Sequence, residues 1–277
     1  MIDKCYYFNK EKIMNYSEKR LLCSEIFNSY AKTFDLENPN IKRKFVHSYN
    51  VAKYAEIIGK SIFDNENDIY ICFVIGLLHD ISRFKQWTLY GSHKDTKEYN
   101  HPDKSVEILF NENMIEKFPV DKKYYEIIKF SIANHGALKI DETQKDEKIL
   151  KFAKMIRDAD KLDLLRQSMN QGQPSFANEF SSDKISEKVL NTFYKKQCIN
   201  KADCNSVADR AILQTAMSFD INFDISKKIY LENEFYMASY INYKDVLSEE
   251  NAKKLLELAL FMKKTFEESL IVNTNEK

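Results

Sequence analysis

Helix breakers are scarce in this chain, which has five glycines and four prolines in 277 residues. A backbone with so few residues suited to tight reversals cannot easily supply the turns that many short strands need, so an all-α fold is expected. The length is enough to bury a core that needs no covalent staples. Five cysteines (Cys5, Cys23, Cys72, Cys198, Cys204) are scattered without a C-x-x-C pair and read as reduced thiols of a cytoplasmic protein. The first twenty residues lack the apolar run of a signal peptide. The longest apolar stretch, the eight residues from Ile71 to Leu78, is far short of the roughly 20 needed to cross a bilayer. Lys plus Arg and Asp plus Glu balance at 42 each, so there is no global field to draw in long nucleic acid or an anionic membrane. Any anionic ligand must be held locally.

Polar stretches punctuate the chain at "DLENPN" (35–40), "KQWTLYGSHKDTKEYNHPD" (85–103), "GALKIDETQKDE" (136–147) and "NQGQPSFANEFSSD" (170–183). Between them run helical patterns. They divide into an N-terminal helical extension (1–40), a central bundle (41–166) and a C-terminal helical cover (167–277) whose amphipathic segments carry no histidine.

Several of the central helices place polar groups where leucines would be expected. Val51, Ala55 and Ile58 follow His47 by 4, 8 and 11 residues, which puts His47 on the apolar stripe. Ile128 and Ile132 precede His135 by 7 and 3 residues, and Gly136 stands where a helix would stop. Ile149, Phe152, Ala153 and Ile156 precede Asp160 by 11, 8, 7 and 4. The greasy run Ile71–Leu78 ends on His79 and Asp80, and "NHPDKSVEILF" sets His101 at a helix start. Burying Asp80 and Asp160 unpaired costs several kcal/mol each, and no cation is evident on their faces. A divalent first-row metal suits the imidazole and carboxylate set.

The ordered series His47, "HD" at 79–80 and Asp160 in "IRDADKLDLL" resembles the HD-domain metal-dependent phosphohydrolases, over roughly residues 41–166. The resemblance implies a helical bundle in which His47, His79, Asp80 and Asp160 hold one metal. His101 and His135 match, in order and context, the two further histidines of the dinuclear branch, with Asp80 bridging. Two divalent first-row ions (Mn, Fe, Co, Ni or Zn) are therefore expected. The implied reaction is hydrolysis of a nucleotide or another small phosphate mono- or diester by water that the metals activate, with Asp80 and Asp160 at the reacting centre. Arg83 stands where many dinuclear relatives carry a phosphate-binding lysine, and its planar fork suits phosphate. Lys104 and Ser105, just after His101, are further candidates for substrate contact. The Gly-Tyr-Pro signature of the cyclic-dinucleotide branch is absent. Two alternatives share the ligand set: an HD-type diiron oxygenase and a non-catalytic nucleotide-binding regulatory module.

Other residues read more plainly. His93 is expected in a solvated loop, Asp158 toward solvent or a neighbouring cation, and Lys161 on the helix surface. Asp163, one turn beyond Asp160, is placed to support a ligand. Phe84, Trp87 and Tyr90 are expected at a pocket rim where a nucleobase could stack, with the segment 85–103 as a lid.

Overall fold

The computed structural model describes residues 14–170 and 180–275, and the described residues are helical with no strand among them. α1 (Tyr16–Ala31) opens on a reciprocal cap, in which Asn15 accepts from the Glu18 amide and Glu18 reaches back to the Asn15 amide. α2 (Pro39–Ile62) starts with Asn38 as cap and Pro39 in its first turn. α3 (Glu66–Leu78) is capped by Asn65, and every residue from Tyr70 to Leu78 is buried. A helix apolar all round must be covered all round. α1, α2, α6 (Tyr125–Asn134) and α7 (Glu147–Asn170) supply that cover. The approach of α2 to α3 depends on Gly76, where a Cβ would stand 2.7 Å from the Ala52 Cα.

A short α4 (Ser82–Tyr90) takes up the first part of the segment expected to be a polar lid. Nothing in "SRFKQWTLY" breaks a helix, and the chain turns only at Gly91, in the left-handed region with φ 59°. Phe84 is accordingly not at a rim. It is fully buried against Phe27, Tyr30 and Phe34. After the loop 91–100, α5 (His101–Val106) begins on Asn100 as cap.

The C-terminal third adds α8 (Glu187–Tyr194), α9 (Val207–Ala216), α10 (Asp224–Glu232), α11 (Ala238–Tyr243) and α12 (Glu249–Asn275). α10 and α11 pack on α7, so the buried apolar residues form one cluster running from Cys23 to Phe266. α7 is therefore enclosed on both faces. Asp158, expected toward solvent, is fully buried. Its carboxylate accepts from the Asn222 amide (2.9 and 3.0 Å), the Asn222 side chain (2.9 Å) and the Phe223 amide (3.0 Å). The helical phase that sets Asp158 opposite the Asp160 stripe is right. The second layer on that opposite face is what buries it.

Candidate metal centre

Six side chains converge from five helices. His47 comes from the middle of α2, His79 and Asp80 from the end of α3, His101 from the first turn of α5, His135 from the end of α6 and Asp160 from α7. Each imidazole is fixed through Nδ1 to an oxygen: His47 to Asp163 Oδ2 (2.6 Å), His79 to the Gly76 carbonyl (2.8 Å), His101 to Asp95 Oδ2 (2.6 Å) and His135 to the Ile132 carbonyl (2.7 Å). A carbonyl or an ionised carboxylate offers no proton, so each Nδ1 is the donor and each Nε2 is turned inward. The Nε2 atoms face one another and the two carboxylates. His101 Nε2 lies 3.0 Å from His135 Nε2, and His47 Nε2 lies 3.1 Å from Asp160 Oδ1.

Asp80 divides the cluster in two. Its Oδ2 is 3.6 Å from the Nε2 of both His47 and His79, while its Oδ1 is 3.5 Å from His101 Nε2 and 3.6 Å from His135 Nε2. His47 Nε2, His79 Nε2 and Asp80 Oδ1 are buried without a hydrogen-bond partner. Three overlapping ligand groups (His47, His79, Asp80; His79, His135, Asp160; Asp80, His101, His135) bring their donor atoms within 4.8 Å of one another. Acceptor atoms crowded this closely repel unless a cation lies among them. The chemistry of the donor set fits a divalent metal, and the Nδ1 bonds to carboxylate and carbonyl are the outer contacts that orient histidine ligands.

The electrostatics follow from burial and neighbours. Burial dominates at His79 and His101 and pushes their pKa values down to about 3 and about 4, so both rings are neutral at pH 7. At His47, burial and Lys44 act to lower the pKa, but the neighbouring Asp160 and Asp163 carboxylates outweigh them and raise it. Burial acts to raise Asp80 as well, yet Lys44, His79 and Arg83 hold it well below the usual carboxylate range. Asp160 is held low by His47 against the same cost of burial.

A cation does pair with Asp80, contrary to the sequence reading. Lys44, one turn before His47 on the same face of α2, places Nζ 2.6 Å from Asp80 Oδ2 and is itself buried. Lysine's long stem hides such a role, because the pattern alone reads it as a surface residue. Arg83 is also drawn in. Its Nε lies 3.4 Å from Asp80 Oδ1, and its Nη1 donates to Gln86 (2.7 Å), the His93 carbonyl (2.6 Å) and Asp95 (3.1 Å). Asp95 thus joins Arg83 to His101, a role that its place in a polar loop does not signal.

The structure does not bring Lys104 or Ser105 to the centre. Lys104 pairs with Glu107 on the outside of α5, and Ser105 is buried against Ser82. His93 is half-buried rather than solvated, with its ring 4.9 Å from that of Trp87 and Nδ1 3.3 Å from Arg43. Burial, with Lys44 and Arg43 nearby, pushes its pKa down to about 3. Trp87 is occupied by that contact, and Tyr90 packs edge-on to Tyr99. Neither forms a rim to the centre. Gly136 has no left-handed φ. A Cβ there would stand 3.2 Å from His101 Cε1, so the glycine admits the ring.

"RDADKLD" does more than carry Asp160. Arg157 donates to the carbonyls of Asn134 (2.7 Å) and Ala137 (2.6 Å), which fixes the turn that carries His135. Arg157 and Lys161 both pair with Asp220 of the C-terminal region, at 2.7 and 2.6 Å. Lys161 is therefore buried and paired, not a free surface cation.

Residues 45–165 match the family model of the HD domain. That span is similar to an HD domain, and the His/Asp cluster is compatible with a metal site of that kind. No curated protein and no solved structure matches the chain. Among the described residues, no helix is long and apolar enough to cross a membrane.

Proposed function

We propose that the chain is a metal-dependent phosphohydrolase that cleaves a small phosphate mono- or diester at a two-metal centre. The observation that carries the reading is the inward convergence of four imidazole Nε2 atoms on a carboxylate whose two oxygens face different histidine pairs. His47, His79 and Asp160 with Asp80 Oδ2 would hold one ion, and His101 and His135 with Asp80 Oδ1 the other. Bound there, divalent ions supply Lewis-acid charge that acidifies a water and neutralises phosphate oxygens.

The residues around them set the reaction up. Asp163, Asp95 and the carbonyls of Gly76 and Ile132 hold the four rings with Nε2 turned inward. Asp160, with its side chain 17% exposed and lining the cavity beside the cluster, is the carboxylate able to take a proton from the attacking water. Lys44 and Arg83 line the same cavity, Lys44 paired with Asp80 and Arg83 with both Asp80 and Asp95. An ammonium and a guanidinium group beside the cluster suit an anionic substrate better than the neutral carbon skeletons that an oxygenase could also take.

The test joins metal analysis to product detection. Protein loaded with Mn, Fe, Co or Ni is assayed under nitrogen against nucleotides and simple phosphate mono- and diesters, with phosphate or alcohol release as the readout. Turnover without oxygen supports the reading. Turnover that requires oxygen, or tight binding with no product, overturns it in favour of an oxygenase or a regulatory module.

A further inference from the structure

The cavity beside the centre has a volume of about 320 Å³ and a mixed lining. Its polar part comes from Asp80, His101, His135 and Asp160 with Lys44 and Arg83. Its apolar part comes from Leu138, Leu164, Ile199, Leu213 and Met217, three of them contributed by the C-terminal region that packs on α7. All four cations on the lining are paired within the protein: Lys44 and Arg83 with Asp80, Arg83 also with Asp95, and Arg157 and Lys161 with Asp220. Among the described residues, no Phe, Tyr or Trp and no Asn, Gln, Ser or Thr lines this cavity.

That composition discriminates between phosphate esters. A nucleotide needs a flat surface to stack its base and polar partners for the base edge and the ribose hydroxyls. Leaving those hydroxyls and amides against aliphatic side chains costs about 1–3 kcal/mol each, as protein substitutions measure it. An aliphatic group loses nothing there and gains from leaving water.

We infer that the substrate is an aliphatic phosphate ester, with its phosphate at the metal ligands and its hydrocarbon body against Leu138, Leu213 and Met217. The inference rests on the phosphohydrolase reading and narrows it. In the reaction, a water oxygen bonds to phosphorus, the ester P–O bond breaks and its electron pair leaves with the alkoxide. The water's proton ends on that oxygen, giving an aliphatic alcohol and inorganic phosphate. At about 30 Å³ per water-sized group, the cavity has room for a phosphate and a chain of roughly six carbons.

The experiment uses the metal-loaded full chain. A series of n-alkyl phosphates from methyl to hexyl is compared with nucleoside monophosphates by phosphate release. The matching n-alkylphosphonates, which cannot be hydrolysed, are titrated by calorimetry. Each added carbon is expected to raise kcat/KM and phosphonate affinity about fourfold until the cavity is full, with hexyl phosphate at least tenfold better than any nucleotide. Met217→Gln should lower the hexyl-to-methyl ratio about tenfold. Leu138→Gln, at a position 47% exposed and so tolerant of change, should lower it in the same direction. A chain-length dependence within twofold from end to end, or a nucleotide preferred over hexyl phosphate, overturns the inference. Phosphonates that bind with the expected trend while no ester is cleaved leave the apolar subsite standing and overturn the hydrolase reading instead.

Discussion

Replacing Asp158 tests whether α7 works as a two-sided clamp. The carboxylate is fully buried and receives two backbone amides and one side-chain amide from Asn222 and Phe223, all between 2.9 and 3.0 Å. Asp158→Ala removes every acceptor at once and leaves three donors facing a void that the packed helices close to water. An orphaned buried donor costs about 1–3 kcal/mol. With partial relaxation, a total loss of roughly 3–5 kcal/mol is expected, among the largest effects of a single substitution. Asp158→Asn keeps one carbonyl oxygen but turns an NH2 toward a donor, so about half that loss is expected. Equilibrium urea unfolding followed by circular dichroism measures both. Metal content should stay at the parent level in each folded variant, because Asp158 touches none of the six cluster residues. Stabilities within about 0.5 kcal/mol of the parent for both substitutions would refute the clamp and return Asp158 to the surface. Loss of metal without loss of stability would refute the helical phase that separates it from Asp160.

The ligand partition predicts close to two metal ions per chain by elemental analysis, with His135→Ala or His101→Ala losing mainly one of them; one ion in the parent, unchanged in His135→Ala, would reduce the centre to a single site. Asp163→Ala, which frees His47 Nδ1, should weaken metal affinity by about 10–100-fold in a chelator competition while the fold is kept, and unchanged affinity would remove Asp163 from the centre's support. Arg83→Ala should raise KM for phosphate substrates and also loosen His101, because Arg83 holds Asp95 as well as facing Asp80; Arg83→Lys, unable to reproduce the fork, should recover only part, and kinetics within twofold of the parent for both would leave Arg83 a structural residue. Asp68 is buried, and although burial acts to raise its pKa, Lys148 and Asn65 outweigh it and hold the carboxyl below its ordinary 3.8. Its contribution to stability is therefore complete above that value and lost as pH falls through the lowered one, so Asp68→Asn should flatten the acid limb of the stability curve and leave the neutral region offset but parallel.

The six cluster residues were legible in the sequence because each breaks a periodic apolar stripe or ends an apolar run, and periodicity survives in one dimension. His47 with Val51, Ala55 and Ile58, and Asp160 with Phe152, Ala153 and Ile156, need only a helix to be placed facing inward. What escaped were contacts that depend on which surface a second element covers. Lys44 looks solvated until α3 sets Asp80 beside it, and Asp158 looks solvated until residues 220–223 close over it. Lys104 and Ser105 failed the other way, since nearness to His101 in sequence said nothing about the side of α5 they occupy.

The same distinction explains why the nucleotide expectation and the cavity diverge. Aromatic residues were assigned to a rim from their position after "HD", but α4 continues to Gly91 and turns Phe84 into the core and Trp87 onto His93. With those rings spent on packing, the apolar part of the lining comes largely from the C-terminal region, whose contribution there is Ile199, Leu213, Met217 and Cys198. On the proposed reading, the HD span would supply the reacting end of the site, and the segment outside it part of the surface that would choose the substrate. Substitutions in that apolar lining should therefore change which ester is preferred, whereas substitutions in the cluster should change whether any is cleaved.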